Sequence, residues 1–204
     1  MCQMKKFLLL MLAATALFWM LGQHTNNAVP LPGTNTTVMP AIARAIVEPG
    51  IADASTHHYD ISGDNLAALR ADMNRQQPAP GFDGHTAWQV NWRWPGYAST
   101  ECDLAAATLD TRITVSLPRW RPPHDADPAL ILHWNHYIGS LTRHEQGHVQ
   151  LAREGFAKMQ TILHDSTCTD ADARLNTVLA EMRQADLRYD ADTRHGVTQG
   201  ARFP

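Results

Sequence analysis

Cysteine is scarce in this chain. There are three in 204 residues, and no two of them form a C-x-x-C pair. That spacing argues against a thiolate zinc site. Basic runs are missing too. No stretch of five Lys or Arg residues occurs, and the net charge is -3. Neither nucleic acid nor an anionic membrane surface is therefore an expected partner. Internal repeats are absent, and charged residues make up an ordinary 18% of the chain. Long apolar runs are limited to one, at the N-terminus.

That run follows Lys5 and Lys6 and extends from Phe7 to Leu21, interrupted only by Thr15. A charged start followed by about 15 apolar residues is the pattern of a secretory signal, and it is short for a membrane span of about 20. Residues 1–22 read as a signal peptide. No good small-x-small cleavage triplet follows Leu21, so an uncleaved N-terminal anchor is the alternative. The expected location is secreted or periplasmic, with inner-membrane anchoring under that alternative. Cys2 falls in the leader. Cys102 and Cys168 remain, and an even count in an exported chain predicts a disulfide between them. Closing that loop would contribute about 4 kcal/mol in the chain-entropy model. Residues 23–54 hold Pro30, Pro32, Pro40, Pro49, Gly33 and Gly50, and read as a flexible linker. Residues 55–204 are left as one domain, long enough for a real core.

Within that domain, residues 56–62 read as a short strand. Ser62 or Asp64 would then cap a helix of about ten residues carrying Leu66, Leu69 and Met73. Trp88, Val90, Trp92 and Trp94 alternate with polar residues. Leu109, Thr111, Ile113, Val115 and Leu117 do the same. Period two predicts half-buried antiparallel strands, with the Trp row serving as core. Asp127-Pro128 is a good helix start. A long helix follows to about Leu163, with Gly139 as a candidate break. A second helix from about Asp170 carries Leu175, Val178, Met182, Ala185 and Tyr189, and Gly196 should stop it. The expected fold is α+β, a small antiparallel sheet packed against two long helices.

The long helix contains His144-Glu145-Gln146-Gly147-His148, an H-E-x-x-H pattern. Two imidazoles four residues apart lie on one helix face and can reach one metal ion. The Glu between them can polarise a water on that metal. This is the minimal apparatus of zinc-assisted hydrolysis. The bare pattern is moderately specific, because two solvated His on a polar helix would match it equally well. Its surroundings strengthen it. The stripe Ile131, Trp134, Ile138, Leu141, Ala152, Phe156, Met159, Leu163 places Glu145 and His148 on the core-facing side. Burying a carboxylate and an imidazole without partners is costly.

Catalytic zinc needs a third protein ligand. Glu154 lies six residues after His148, about 600° around a continuous helix, and points away. His195, at the end of the second helix, is the expected third ligand, with Asp190 and Glu181 as the other candidates. Tyr189 could stabilise a developing oxyanion, though core packing is its ordinary role.

Several segments resemble a bacterial family of predicted secreted zinc-dependent proteases, otherwise a domain of unknown function. They are Tyr59-Asp60-Ile61-Ser62-Gly63, the strand with Trp88 and Trp92, Leu117-Pro118-Arg119-Trp120, the block Arg143 to His148, and the tail from Tyr189 to Pro204. The resemblance spans roughly residues 56–204. It implies an exported protein with a zinc-protease-like, zincin-like site.

These readings converge on an exported zinc-dependent metalloprotease. His144, His148 and His195 would hold zinc, with Glu145 as the general base. Its partner would be a peptide or protein substrate, cell-wall peptide included. The alternatives are a cell-wall peptide amidase and a non-catalytic exported zinc-binding module. Glu145 speaks against the last, since a purely structural site needs no carboxylate between its His.

Overall fold

A computed structural model describes residues 46–204 apart from 49, 98 and 100. The expected signal and the first part of the expected linker lie outside the described residues. The end of that linker makes contacts with the domain. Val47 N donates to Asn135 Oδ1 at 3.0 Å, Arg153 pairs with Asp53, and Ile51 is buried.

The elements run β1 (Ser55–Ile61), α1 (Leu66–Gln76), β2 (His85–Arg93), β3 (Thr108–Trp120), α2 (Pro128–Asp165) and α3 (Ala171–Thr193). Short 3-10 turns occupy Leu104–Ala106 and Val197–Gln199. The fold is α+β: a three-stranded sheet, order β1-β3-β2, packed against the two long helices.

The sheet is mixed. β2 pairs antiparallel with β3, as the alternation predicts, but β1 pairs parallel with β3. Period-two patterning reports a half-buried face and carries no strand direction. Between β1 and β3 the chain passes through α1 and β2, so β3 returns in the direction of β1. Such a crossover is what parallel pairing requires.

α1 is capped by Asn65, whose side chain accepts from Ala68 N at 2.9 Å. Ser62, expected as a cap, donates instead to Asp72 through both its backbone N and its hydroxyl. α2 begins as Asp127-Pro128 dictates, with Asp127 Oδ1 accepting from Ala129 N at 2.9 Å. It runs unbroken for 38 residues through Gly139. One face of α2 buries Ile131, Trp134, Ile138, Leu141, Val149, Ala152 and Met159. Each Ile, Leu, Val or Met side chain among them contributes roughly 1.5–3 kcal/mol by leaving water. Trp88 and Trp92 pack on the core and spend their indole N–H groups on Asp186 and Asp172 of α3, at 2.6 and 3.0 Å. The Trp row is therefore core. Cys102 and Cys168 are bonded to each other, tying the loop before β3 to the α2–α3 turn.

After α3 the chain reverses through left-handed residues and runs back along α2. Phe203 ends there, its ring 4.8 Å from that of Tyr137.

Candidate metal centre

α2 carries His144 and His148 one turn apart, so their rings lie side by side, 4.9 Å between centroids. They are 4% and 8% exposed. α3 packs against this face of α2 and delivers Asp190. Asp190 Oδ1 lies 3.3 Å from His144 Nε2 and 3.1 Å from His148 Nε2. These three side chains form a group whose donor atoms all fall within 4.8 Å of one another, suitable for a metal ion.

Both imidazoles are fixed from behind. His148 Nδ1 faces Asp186 Oδ1 at 3.1 Å, and Asp186 Oδ2 accepts from the Trp88 indole. His144 Nδ1 faces Gln199 Oε1 at 3.1 Å, while Gln199 Nε2 donates to the Tyr189 hydroxyl. With each Nδ1 donating to an oxygen, each Nε2 presents a lone pair to Asp190 Oδ1. In that tautomer two ring lone pairs and a carboxylate oxygen face one another, an arrangement that a cation between them would satisfy. A divalent metal fits that donor set, and backing oxygens of this kind are what orient metal-binding imidazoles.

The surrounding charges agree. Burial pulls the His148 pKa down, but the Asp186 hydrogen bond and the charges of Asp190, Glu145 and Asp186 outweigh it, and the net shift is upward. The field that favours a proton there equally favours a metal cation. Burial lowers the His144 pKa, with help from neighbouring His148, and so favours the neutral ring that can ligate a metal.

Glu145 is 3% exposed and stands apart from the three donors. Burial raises its pKa, and the hydrogen bond from Thr86 opposes the rise. The Thr86 hydroxyl donates to Oε2 at 2.6 Å. Gly84 lies against Oε1, and any Cβ there would overlap the carboxylate. Glu145, both His and Asp190 open into one cavity of about 520 Å³, walled by residues 81–86 on one side and by α3 with its following turn on the other.

A family model described as a bacterial protein of unknown function (DUF922) matches residues 56–196, well over half of the chain. The chain belongs to this family. No curated protein and no solved structure matches it. The matched segment contains the three candidate ligands, Glu145, Thr86 and Asp186. Gln199 and the final residues lie beyond it.

His195, the expected third ligand, sits beside the group without joining it. Its Nδ1 is 3.3 Å from Asp190 Oδ1, its side chain is 56% exposed, and its ring meets Phe82 edge-on at 5.2 Å. Glu181 pairs with Lys158, and Glu154 accepts from Gln150, both on exposed helix surface away from the cavity. Tyr189 stacks on His144 at 5.2 Å and donates its hydroxyl to the His144 carbonyl at 3.2 Å. It holds the ligand helix in place.

Sequence reasoning passed over Asp186, Gln199 and Thr86. A usable signal existed for Asp186. It lies four residues before Asp190 on α3, repeating on a second helix the spacing of His144 and His148. Gln199 and Thr86 reach the site only through tertiary packing and carry no local signal.

Proposed function

We propose that this protein is an exported zinc-dependent metallopeptidase. His144, His148 and Asp190 hold the metal, and His195 flanks it through Asp190. The observation that carries the reading is a buried carboxylate, Glu145, that opens into the same cavity as three convergent donors yet is not one of them. Zinc, when bound, polarises the scissile carbonyl and makes water acidic enough to react near neutral pH.

The chain's own residues supply the rest. Glu145 takes the proton of the attacking water and returns it to the leaving amine. Thr86 and Gly84 fix its two oxygens, so the base is oriented before substrate arrives. Its raised pKa makes it a stronger proton acceptor than an ordinary carboxylate. The Cys102–Cys168 bond supports an oxidising compartment outside the cytoplasm. Peptide or protein, cell-wall peptide included, is the substrate class this chemistry serves.

Zinc analysis together with Glu145→Gln tests the reading. Purified protein should carry about one zinc per chain. His144→Ala, His148→Ala and Asp190→Ala should each lose it to a chelator that the wild type resists. Asp186→Asn should weaken zinc affinity about 10- to 100-fold, because it disturbs the orienting hydrogen bond and not a ligand. Glu145→Gln should keep zinc and fold while peptide hydrolysis falls about 10²- to 10⁴-fold. Full zinc occupancy in the His144/His148 double variant would sink the site. Unchanged turnover in Glu145→Gln would remove its role as base. Cleavage of purified cell wall but not of a quenched peptide library would mark the amidase alternative. Zinc binding without turnover on either would mark a non-catalytic module.

A further inference from the structure

The cavity's charges are unevenly partnered. Asp83, Glu145, Asp186 and Asp190 all line it. Asp83 is held by Arg70, while Asp186 and Asp190 face imidazoles. Arg194 is the single Arg or Lys in the lining. It is exposed, and among the described residues its guanidinium has neither a hydrogen bond nor an ion pair.

The backbone at this point is unusual. Arg194 has φ 51 and ψ 52, and His195 has φ 52, both left-handed, with Gly196 at φ 78 completing the turn. Glycine or asparagine suits a left-handed residue at a helix C-terminus, and arginine is disfavoured there. The position is poor for the arginine backbone, so its side chain is the reason to look for a role. A guanidinium without a partner, on a residue that lines the cavity, matches a carboxylate, which it can grip through two parallel hydrogen bonds. Beside it, Phe82 and Val197 line the same cavity while remaining 41% and 43% exposed, an apolar rim on which the His195 ring rests edge-on against Phe82.

We infer that Arg194 is a specificity-determining residue that pairs with a carboxylate of the substrate, while Phe82 and Val197 take an adjacent apolar side chain. This rests on the peptidase reading above and narrows its substrate class to acidic peptides. The carboxylate can come from a free C-terminus or from a Glu or Asp side chain, and the two sources are separable.

Zinc-loaded Glu145→Gln protein, which binds without turning over, is titrated calorimetrically with three sets of N-acetylated Leu-containing peptides. The sets are neutral amides, free C-terminal acids, and amides with one internal Glu. One acidic set should bind about tenfold more tightly than the neutral amides, and added salt should shrink the difference. Adding Arg194→Asn should erase the preference without lowering the melting temperature, since Asn suits the left-handed backbone. Adding Arg194→Lys should retain part of it. Equal binding of all three sets, no binding of any, or a preference that survives Arg194→Asn overturns the inference. Wild-type hydrolysis of the same peptides is scored separately. Hydrolysis indifferent to charge would overturn the role of Arg194 and leave the peptidase reading standing. A charge preference in binding with no hydrolysis would do the reverse.

Discussion

Glu145 is poised between two opposing effects. Burial raises its pKa and the Thr86 hydroxyl lowers it. In the proposed reaction the base must be ionised to work, so this balance would set the acid limb of the rate profile. Thr86→Val keeps the volume but removes the donor, and the Glu145 pKa should rise further. The acid limb of kcat/KM should then move to higher pH, with activity falling most on the acid side of neutrality. A profile superimposable on wild type would show that the hydroxyl does not tune the base. At this scale the sequence was partly legible. His144, Glu145 and His148 are singled out by the H-E-x-x-H pattern, and the apolar stripe around it points to the burial that all three show. Asp190 was only one of several candidates, because the face that α3 turns toward α2 is set by packing between residues 42 apart in the chain.

Glycines control how closely the elements meet. α2 and α3 approach each other at Gly147 and Gly155, and a Cβ at either would overlap a side chain of α3. The obstacle at Gly147 is the Tyr189 hydroxyl and ring, locked by stacking on His144 and by the bond to its carbonyl. At Gly155 it is Met182, an adaptable side chain. Gly147→Ala should therefore destabilise by about 1–3 kcal/mol, and weaken zinc binding by pushing α3 and Asp190 away. Gly155→Ala should cost less, since Met182 can move and alanine gains about 1 kcal/mol of helix propensity. Thermal melts and chelator titrations of both variants check the order, and an equal loss at the two sites would contradict it. The helices themselves could be read from the apolar stripe and the Asp127-Pro128 start. Their spacing could not, because a glycine on a helix face matters only once a partner stands opposite. The parallel pairing of β1 was hidden for a related reason, since alternation fixes which side is buried and not which way the strand runs.

At the scale of the whole described domain, two of the links between parts distant in sequence bear on stability and on the cavity wall. The Cys102–Cys168 bond, expected from cysteine count and export, fastens the loop before β3 to the α2–α3 turn. Reduction should lower stability by about 2–4 kcal/mol and the melting temperature with it, while intact-mass analysis before reduction should show the loss of two hydrogens. The second link had no sequence signal. Asp83 accepts both Arg70 guanidinium bonds, at 2.7 and 2.9 Å, and the Tyr137 hydroxyl at 2.6 Å. Its carbonyl accepts from Tyr59 at 2.6 Å, and Arg70 also reaches the Phe203 carbonyl at 3.3 Å. Asp83, through its carboxylate and its carbonyl, thus gathers α1, α2 and β1, and its partner Arg70 adds the C-terminal tail, at the base of the loop that presents Phe82 and Gly84 to the cavity. Burial and the Asp83 charge both hold the Tyr137 pKa well above its usual value, so the phenol stays a donor throughout the working pH range. Asp83→Asn can accept only part of these bonds and leaves the guanidinium without its counter-charge. It should cost roughly 1–3 kcal/mol of stability. The cavity wall would loosen while the candidate metal ligands, on α2 and α3, stay in place. KM for a cleaved peptide should rise with zinc affinity unchanged, which melting curves, steady-state kinetics and a chelator titration on the same preparation would show; zinc loss parallel to the rise in KM would mean that the loop and the metal centre are one mechanical unit.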